Sequence, residues 1–179
     1  MVDLNSDELK TTCLAHCDGS LSLGTAPSWE TDHITVALPS YTRSPVKIDL
    51  SLNPRTSGPI HLRADNLGPY REEHLTVPAD GVGIPLTVVR RRDCTTPGPL
   101  LLTAYGSYGT SRITHHDPLL TALIDHGMTY AVAHVRGGGE KGRAWHDGGR
   151  ILNKPNALAD LFSCLNHLEE CGIATPRDV

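Results

Sequence analysis

Aromatic side chains are scarce in this sequence of 179 residues: two Trp, five Tyr and one Phe make up only 4% of it. A hydrophobic core must therefore be built mainly from aliphatic side chains, which the 39% of hydrophobic residues can supply. Long apolar runs are also missing, since the longest are only a few residues. A membrane-spanning helix needs about 20, so we expect no association with a membrane.

Basic residues are slightly fewer than acidic ones. The chain has 16 Lys and Arg against 20 Asp and Glu, for a net charge of -4. The one basic run, residues 90–92, is short and is interpreted as the solvated end of a strand. Because binding to nucleic acid needs a clustered positive surface, we expect no nucleic-acid partner.

A disulfide framework is not indicated, because the five cysteines are odd in number and scattered. Residues 1–10 are acidic and polar, unlike a secretory signal, so we expect free thiols and a cytoplasmic location. Cys13 and Cys17 form one Cys-x3-Cys pair without a second pair, which is a weak zinc signal. We therefore expect no metal and no cofactor.

Residues 1–68 are rich in loop-forming Gly and Pro. Between these residues, the runs 33–38 and 46–50 have the alternation of half-buried strands. Short strands separated by turn residues indicate a meander or one blade of a repeat array. One or two hairpins are not stable alone in water, so this segment is predicted to be the edge of something larger.

Residues 69–179 alternate between strand and helix patterns, which predicts the α/β class with binding groups at the carboxyl ends of strands. The predicted strands cover residues 71–78, 84–89, 99–105 and 129–135, with a turn at Asp80-Gly81 after the first. The last two strands are continuous apolar runs, which predicts burial on both faces.

Two helices complete this pattern. The first is capped by Asp117, starts at Pro118 and ends at Gly127, and the second runs from about residue 155 or 156 to Cys171. The predicted buried stripes are Leu119, Leu120, Leu123 and Ile124 in the first helix, and Leu158, Leu161, Phe162, Leu165 and Leu168 in the second.

The first motif that could carry chemistry is Tyr105-Gly106-Ser107-Tyr108-Gly109, directly after a predicted strand. A tyrosine hydroxyl at that edge can donate a hydrogen bond to a developing oxyanion. The other interpretation is a Gly-rich strand exit with two packing tyrosines. Ser107 is not a nucleophile elbow, because G-x-S-x-G occurs nowhere in the sequence.

The second motif is the run of residues 136–142, Arg-Gly-Gly-Gly-Glu-Lys-Gly, after the strand 129–135. Its glycines match G-x-G-x-x-G, and Asp160 follows about 20 residues on, as in a dinucleotide site. A helix should follow at once, but residues 143–149 show no apolar stripe. We therefore favour a tight, close-packed loop, braced by Arg136 and Glu140.

The histidines are weaker candidates for a catalytic or metal-binding role. His146 precedes Asp147, but adjacent residues rarely point at each other, and no nucleophile accompanies them. His115 and His116 precede a helix and are interpreted as solvent-exposed side chains rather than a metal pair.

Taken together and in this order, the motifs resemble the catalytic domain of the prolyl oligopeptidase family of serine peptidases. The matching segments are residues 77–85, 105–109, 133–140, Gly142, Trp145-His146, Gly149-Arg150 and 153–156. The Tyr-Gly-Ser-Tyr-Gly spelling is closer to the oligopeptidase B and prolyl-endopeptidase-like branches. The resemblance covers residues 70–179 closely, and residues 30–66 resemble the last strands of the family's β-propeller.

The resemblance implies a cytosolic serine-type endopeptidase for short peptides, without a cofactor. Residues 1–68 would be the end of a β-propeller, and residues 69–179 the first half of an α/β-hydrolase domain. Tyr105 matches the tyrosine whose hydroxyl helps to form the oxyanion hole, and Tyr108 matches an aromatic lining the pocket for the residue before the scissile bond. Arg136 and Glu140 match a hallmark that we interpret as structural.

The family's nucleophilic Ser, Asp and His come after the segment matched by this sequence, so the 179 residues are expected to be a partial chain, inactive alone. Two alternatives stay open. One is a non-catalytic interaction protein or pseudoenzyme built on half of the fold. The other is a different α/β-hydrolase, such as an esterase, which would need the same triad.

Overall fold

A computed structural model describes residues 22–24, 31, 33–51, 68–94 and 97–175. The chain divides into two compact units, residues 1–66 with 114–116, and residues 67–113 with 117–179. Residues 1–10 and the Cys13–Cys17 pair lie outside the described part. The predicted α/β class is confirmed, because strands and helices alternate along the second unit.

The described part of the first unit contains an antiparallel sheet of strands β1 (Ser22–Leu23), β2 (His33–Leu38) and β3 (Val46–Ser51). The two strands predicted in this unit are thus confirmed. Val36, opposite Ile48 in the register, is buried. Thr35 donates a hydrogen bond of 2.6 Å to Asp49 across the same pair of strands.

The second unit is built on a sheet of strands β4 (Tyr70–Ala79), β5 (Val82–Arg91), β6 (Leu100–Ala104) and β7 (Thr129–Ala133), in the order β4-β5-β7-β6. β4, β5 and β7 pair antiparallel, whereas β6 and β7 pair parallel. The predicted turn is confirmed at Asp80 and Gly81, which have φ of 47° and 73°. Asp and Gly tolerate this left-handed region better than most residues do.

The helices of this unit are α1 (Pro118–Asp125), α2 (Arg143–Asp147) and α3 (Pro155–Glu170), with a 3-10 turn at Ile151–Asn153. The predicted cap is confirmed, because the Asp117 carboxylate accepts a hydrogen bond of 2.9 Å from the Leu119 amide. Helix α2, however, was not expected, since its five residues are too short to show an apolar stripe.

The hydrophobic core lies between the sheet and α3. Alternate residues of β5 and β7 point the same way and enter it together with Trp145 and the inner face of α3. Its members include Ile84, Leu86, Val88, Ala131, Ala133, Cys164 and Leu168. Helix α1 also packs against β5 and β7, and β7 is buried along its whole length. This sheet is therefore the rigid support for the loops at its edge.

Three predicted burial patterns are right only in part. On α3 the predicted Leu168 is buried, and Leu161 and Leu165 pack against the core, but Leu158 and Phe162 are about 60% exposed. The buried face also carries Ala157, Asp160 and Cys164. Asp160 lies on this buried face, where it binds Arg136. On α1 the predicted Leu120 and Ile124 are buried and Leu123 is partly buried, but Leu119 is exposed. Strand β6 is not buried on both faces, because Leu101 and Ala104 are exposed; among the described strands it pairs only with β7 and lies at the sheet's edge.

Candidate functional site

The two glycine-rich motifs meet at one edge of the sheet. Strands β6 and β7 run parallel, so the turn of residues 105–109 and the loop of residues 136–142 leave the sheet at the same end. Gly109 donates a backbone hydrogen bond of 3.0 Å to the Gly137 carbonyl. The structure thus joins, at the carboxyl end of the parallel pair, two segments that are about 30 residues apart.

The contact between the two segments leaves no room for side chains. A Cβ on Gly106 would lie 2.5 Å from the Val135 side chain and 2.9 Å from the Arg136 carbonyl oxygen. A Cβ on Gly137 would clash with the Gly106 carbonyl, and one on Gly139 with the Gly109 carbonyl. This confirms the tight-loop interpretation, because these glycines face protein backbone.

Tyr105 and Tyr108 both project from this turn. The Tyr105 side chain is 46% exposed, and its hydroxyl has no hydrogen-bond partner among the described residues. Tyr108 is 87% exposed and has a φ of +57°, followed by Gly109 at +63°. A positive φ is rare for a bulky residue, and the surroundings must hold it in place. Here Thr110 closes the turn with a 3.1 Å hydrogen bond to the Ser107 carbonyl.

Arg136 forms a buried ion pair, but not with Glu140. Its backbone amide and guanidinium donate four hydrogen bonds of 2.7–3.1 Å to the Asp160 carboxylate, which is fully buried on α3. Its Nη1 also reaches Asp80 at 3.3 Å. The hydrogen bond to Asp160 raises the pKa of Arg136 against the opposing effect of burial. The expected bracing by Arg136 is confirmed, and Asp160 is its partner.

Glu140 holds a different part of the loop. Its Oε1 accepts a 3.0 Å hydrogen bond from the Arg112 amide and lies 3.5 Å from His134 Nδ1. Burial alone would raise the pKa of Glu140, but the interactions with His134 and Arg112 outweigh it and lower the pKa. His134 Nε2 in turn lies 3.0 Å from the Thr87 hydroxyl on β5. Glu140 therefore connects the segment after Gly109 to the sheet.

Lys154 is a site residue that sequence reasoning missed. Its Nζ donates hydrogen bonds of 2.6 Å to the Gly106 carbonyl and 2.7 Å to the Ser107 hydroxyl. Two nearby asparagines donate to backbone carbonyls too: Asn153 to that of Asp147 at 3.0 Å, and Asn156 to that of Gly148 at 2.9 Å. Only the family resemblance, which includes residues 153–156, drew attention to this segment.

The histidines occupy the places expected of structural or surface residues. His146 Nδ1 lies 2.9 Å from the Gly137 carbonyl, while its neighbour Asp147 pairs with Arg143 and Arg150. His115 is exposed and His116 partly buried. His146 and Asp147 therefore do not form a catalytic pair.

The described segments contain no group of three or more His, Cys, Asp or Glu side chains that could hold a metal ion. Cys164 is buried on α3, and desolvation raises its pKa to about 12. None of the helices in the described ranges has the length and apolar character needed to cross a membrane.

Comparison with known proteins relates this chain to one family. The sequence model of the prolyl oligopeptidase family matches residues 115–179. Residues 115–179 therefore belong to the prolyl oligopeptidase family. The chain is 34% identical to a dipeptidyl aminopeptidase BI from Pseudoxanthomonas mexicana over 96% of its own length. It is also 40% identical to the prolyl endopeptidase-like protein of Rattus norvegicus over 54% of its length.

Solved structures of family members share the fold. Oligopeptidase B from Trypanosoma brucei, with covalently bound antipain, matches 89% of this chain with a TM-score of 0.70 and 29% identity. The chain spans only 24% of that structure, 24% of the dipeptidyl aminopeptidase and 14% of the rat protein. The similarity therefore concerns about a quarter or less of each relative.

Proposed function

We propose that this chain forms part of a serine-type peptidase that hydrolyses short peptides, with the Tyr105 hydroxyl as a donor of the oxyanion hole. One observation carries the proposal: Tyr105 stands, half-exposed, at the carboxyl end of β6 with its hydroxyl unpaired among the described residues. A donor held at the point where negative charge develops stabilises the transition state more than the ground state.

Tyr108 is proposed to line the pocket for the residue before the scissile bond. Its ring projects from the same turn, three residues from Tyr105, and is almost fully exposed. An exposed aromatic ring on a fixed backbone offers apolar contact area at little cost in conformational entropy. The substrate is proposed to be a peptide, which is supported by the family's peptidases and by the antipain complex of the Trypanosoma enzyme.

The proposed chemistry is acyl transfer through a serine nucleophile. Such a reaction needs a nucleophile and a base, and these 179 residues contain no G-x-S-x-G. We therefore propose that the Ser, Asp and His of the triad come from outside the 179 residues, which hydrolyse no peptide by themselves. In this proposal residues 1–68 end a β-propeller, residues 69–179 begin an α/β-hydrolase domain, and the protein is cytoplasmic.

The test is to replace Tyr105 by Phe in the protein isolated from its own cells. Loss of one oxyanion donor should lower kcat for a peptide substrate about 100-fold, with KM nearly unchanged. Tyr70→Phe is the matched control, because it removes a hydroxyl that binds Asp125 on the surface at 2.9 Å. Labelling by a serine-directed fluorophosphonate should persist in both variants.

A wild-type protein that neither hydrolyses peptides nor reacts with the fluorophosphonate would contradict the proposal. The non-catalytic alternative, an interaction protein on half of this fold, would then be favoured. An unchanged kcat in Tyr105→Phe with an active wild type would refute the role of Tyr105 alone.

A further inference from the structure

We propose that Lys154 is a positioning residue that holds the turn of residues 105–109 in its working conformation; this inference rests on the proposed function. The Lys154 ammonium connects the start of α3 to the turn that follows β6. Its two short hydrogen bonds end on Gly106 and Ser107, the residues between the two tyrosines. An ammonium group has three donors and no acceptor, so it suits two neighbouring oxygen atoms.

The local sequence context does not explain a lysine here. Lys154 occupies the N-cap position of α3, and its side chain makes no capping hydrogen bond to that helix. Ser, Thr, Asp and Asn are preferred at this position, and a cation is unfavourable beside the positive end of the helix dipole. The tertiary contact with the turn therefore accounts for the residue.

Lys154 holds the Gly106 backbone, which Gly137 already restricts from the other side. The Gly106 carbonyl accepts a hydrogen bond from the Lys154 ammonium on one side and packs against Gly137 on the other. Because Gly106 and Tyr108 both have positive φ, the turn would relax toward commoner conformations if one side were released. Such a change would move the Tyr105 hydroxyl relative to the sheet edge.

The contact also bears on Ser107. A serine hydroxyl 2.7 Å from a lysine amine can form a nucleophilic dyad in some hydrolases. Here the Lys154 ammonium donates to the Gly106 carbonyl at 2.6 Å as well as to Ser107, and an ammonium group has no lone pair with which to accept the serine proton. In this form Lys154 holds the turn and does not activate Ser107 as a nucleophile.

The experiment compares Lys154→Met, Lys154→Arg and the control Lys47→Met, an exposed lysine on β3, in the full protein. The first readout is amide hydrogen exchange. In Lys154→Met the amides of Gly109 and Thr110, whose bonds close the turn, should exchange about tenfold faster or more, with those of β7 unchanged. Lys154→Arg, which keeps donors, should restore part of the protection.

The second readout is steady-state peptide hydrolysis. Misplacement of the turn should lower kcat about 10- to 100-fold in Lys154→Met and leave KM nearly unchanged. The proposal is overturned if Lys154→Met matches Lys47→Met in both readouts. It is also overturned if exchange rises evenly over the whole second unit, or if the turn loosens while kcat is unchanged.

The two proposals fail separately. A wild-type protein without peptidase activity contradicts the proposed function, while the exchange rates at Gly109 and Thr110 still decide whether Lys154 holds the turn. An active wild type with no response to Lys154→Met contradicts the positioning role only.

Discussion

At the scale of single residues, a glycine can be required because a side chain would not fit, because its φ is positive, or for both reasons. Gly137 has a φ of +99°, and its missing side chain lets the Gly106 carbonyl approach. Gly172, after α3, has a φ of +67° but no atom within 4 Å of where a Cβ would lie. The two residues share a left-handed backbone and differ in their surroundings, so they separate the two effects.

We expect Gly172→Ala to lower the free energy of unfolding by about 1–2 kcal/mol, which is the cost of a left-handed conformation. Gly137→Ala should cost about 1–3 kcal/mol more, since the backbone must also move to relieve the clash. Urea denaturation of both variants measures the difference. Equal losses would show that the close approach of Gly106 to Gly137 adds nothing to the cost of the Gly137→Ala substitution.

At the scale of secondary-structure elements, short-range signals decided where helices begin and end. Asp117 caps α1 through the Leu119 amide, and Gly127 follows the helix with a φ of +91°. These interactions involve residues a few positions apart, so the sequence alone reveals them. The buried face of α3 was predicted only in part: Leu168 lies on it as expected, but an aspartate and a cysteine lie there too, while Leu158 and Phe162 are exposed.

Asp117→Ala should lower the free energy of unfolding by about 1 kcal/mol, because the Leu119 amide loses its side-chain acceptor. Asp117→Asn keeps an acceptor at the same place and should be nearly neutral. Thermal or urea unfolding of the two variants tests this. Equal destabilisation by Ala and Asn would mean that the charge of Asp117, rather than its hydrogen bond, supports α1.

At the scale of the whole second unit, the loop at the sheet edge is tied into the core by one buried ion pair. Arg136 and Asp160 are 24 residues apart, and together they join the end of β7 to the middle of α3. Breaking such a pair leaves one buried charge without its partner, which costs far more than removing both charges together.

Asp160→Asn should therefore lower the free energy of unfolding by about 3–5 kcal/mol. The double variant Arg136→Met with Asp160→Leu should recover much of that loss, because no uncompensated charge remains in the core. Urea denaturation of the single and double variants tests the coupling. A double variant as unstable as Asp160→Asn would indicate that the hydrogen bonds, not the unpaired charge, dominate.

The sequence by itself determined the α/β class, the described strands apart from the short β1, both long helices, the Asp80-Gly81 turn and the family resemblance. These depend on local periodicity, capping and turn residues, which act over a few positions. It also located Tyr105 and Tyr108 after a strand, and their roles stay predictions. Tertiary structure alone decided the partner of Arg136, the contacts of Lys154, the exposed edge of β6 and the place of Asp160 and Cys164 on the inner face of α3. Each of these depends on residues that are distant in sequence and meet only when the sheet and α3 pack.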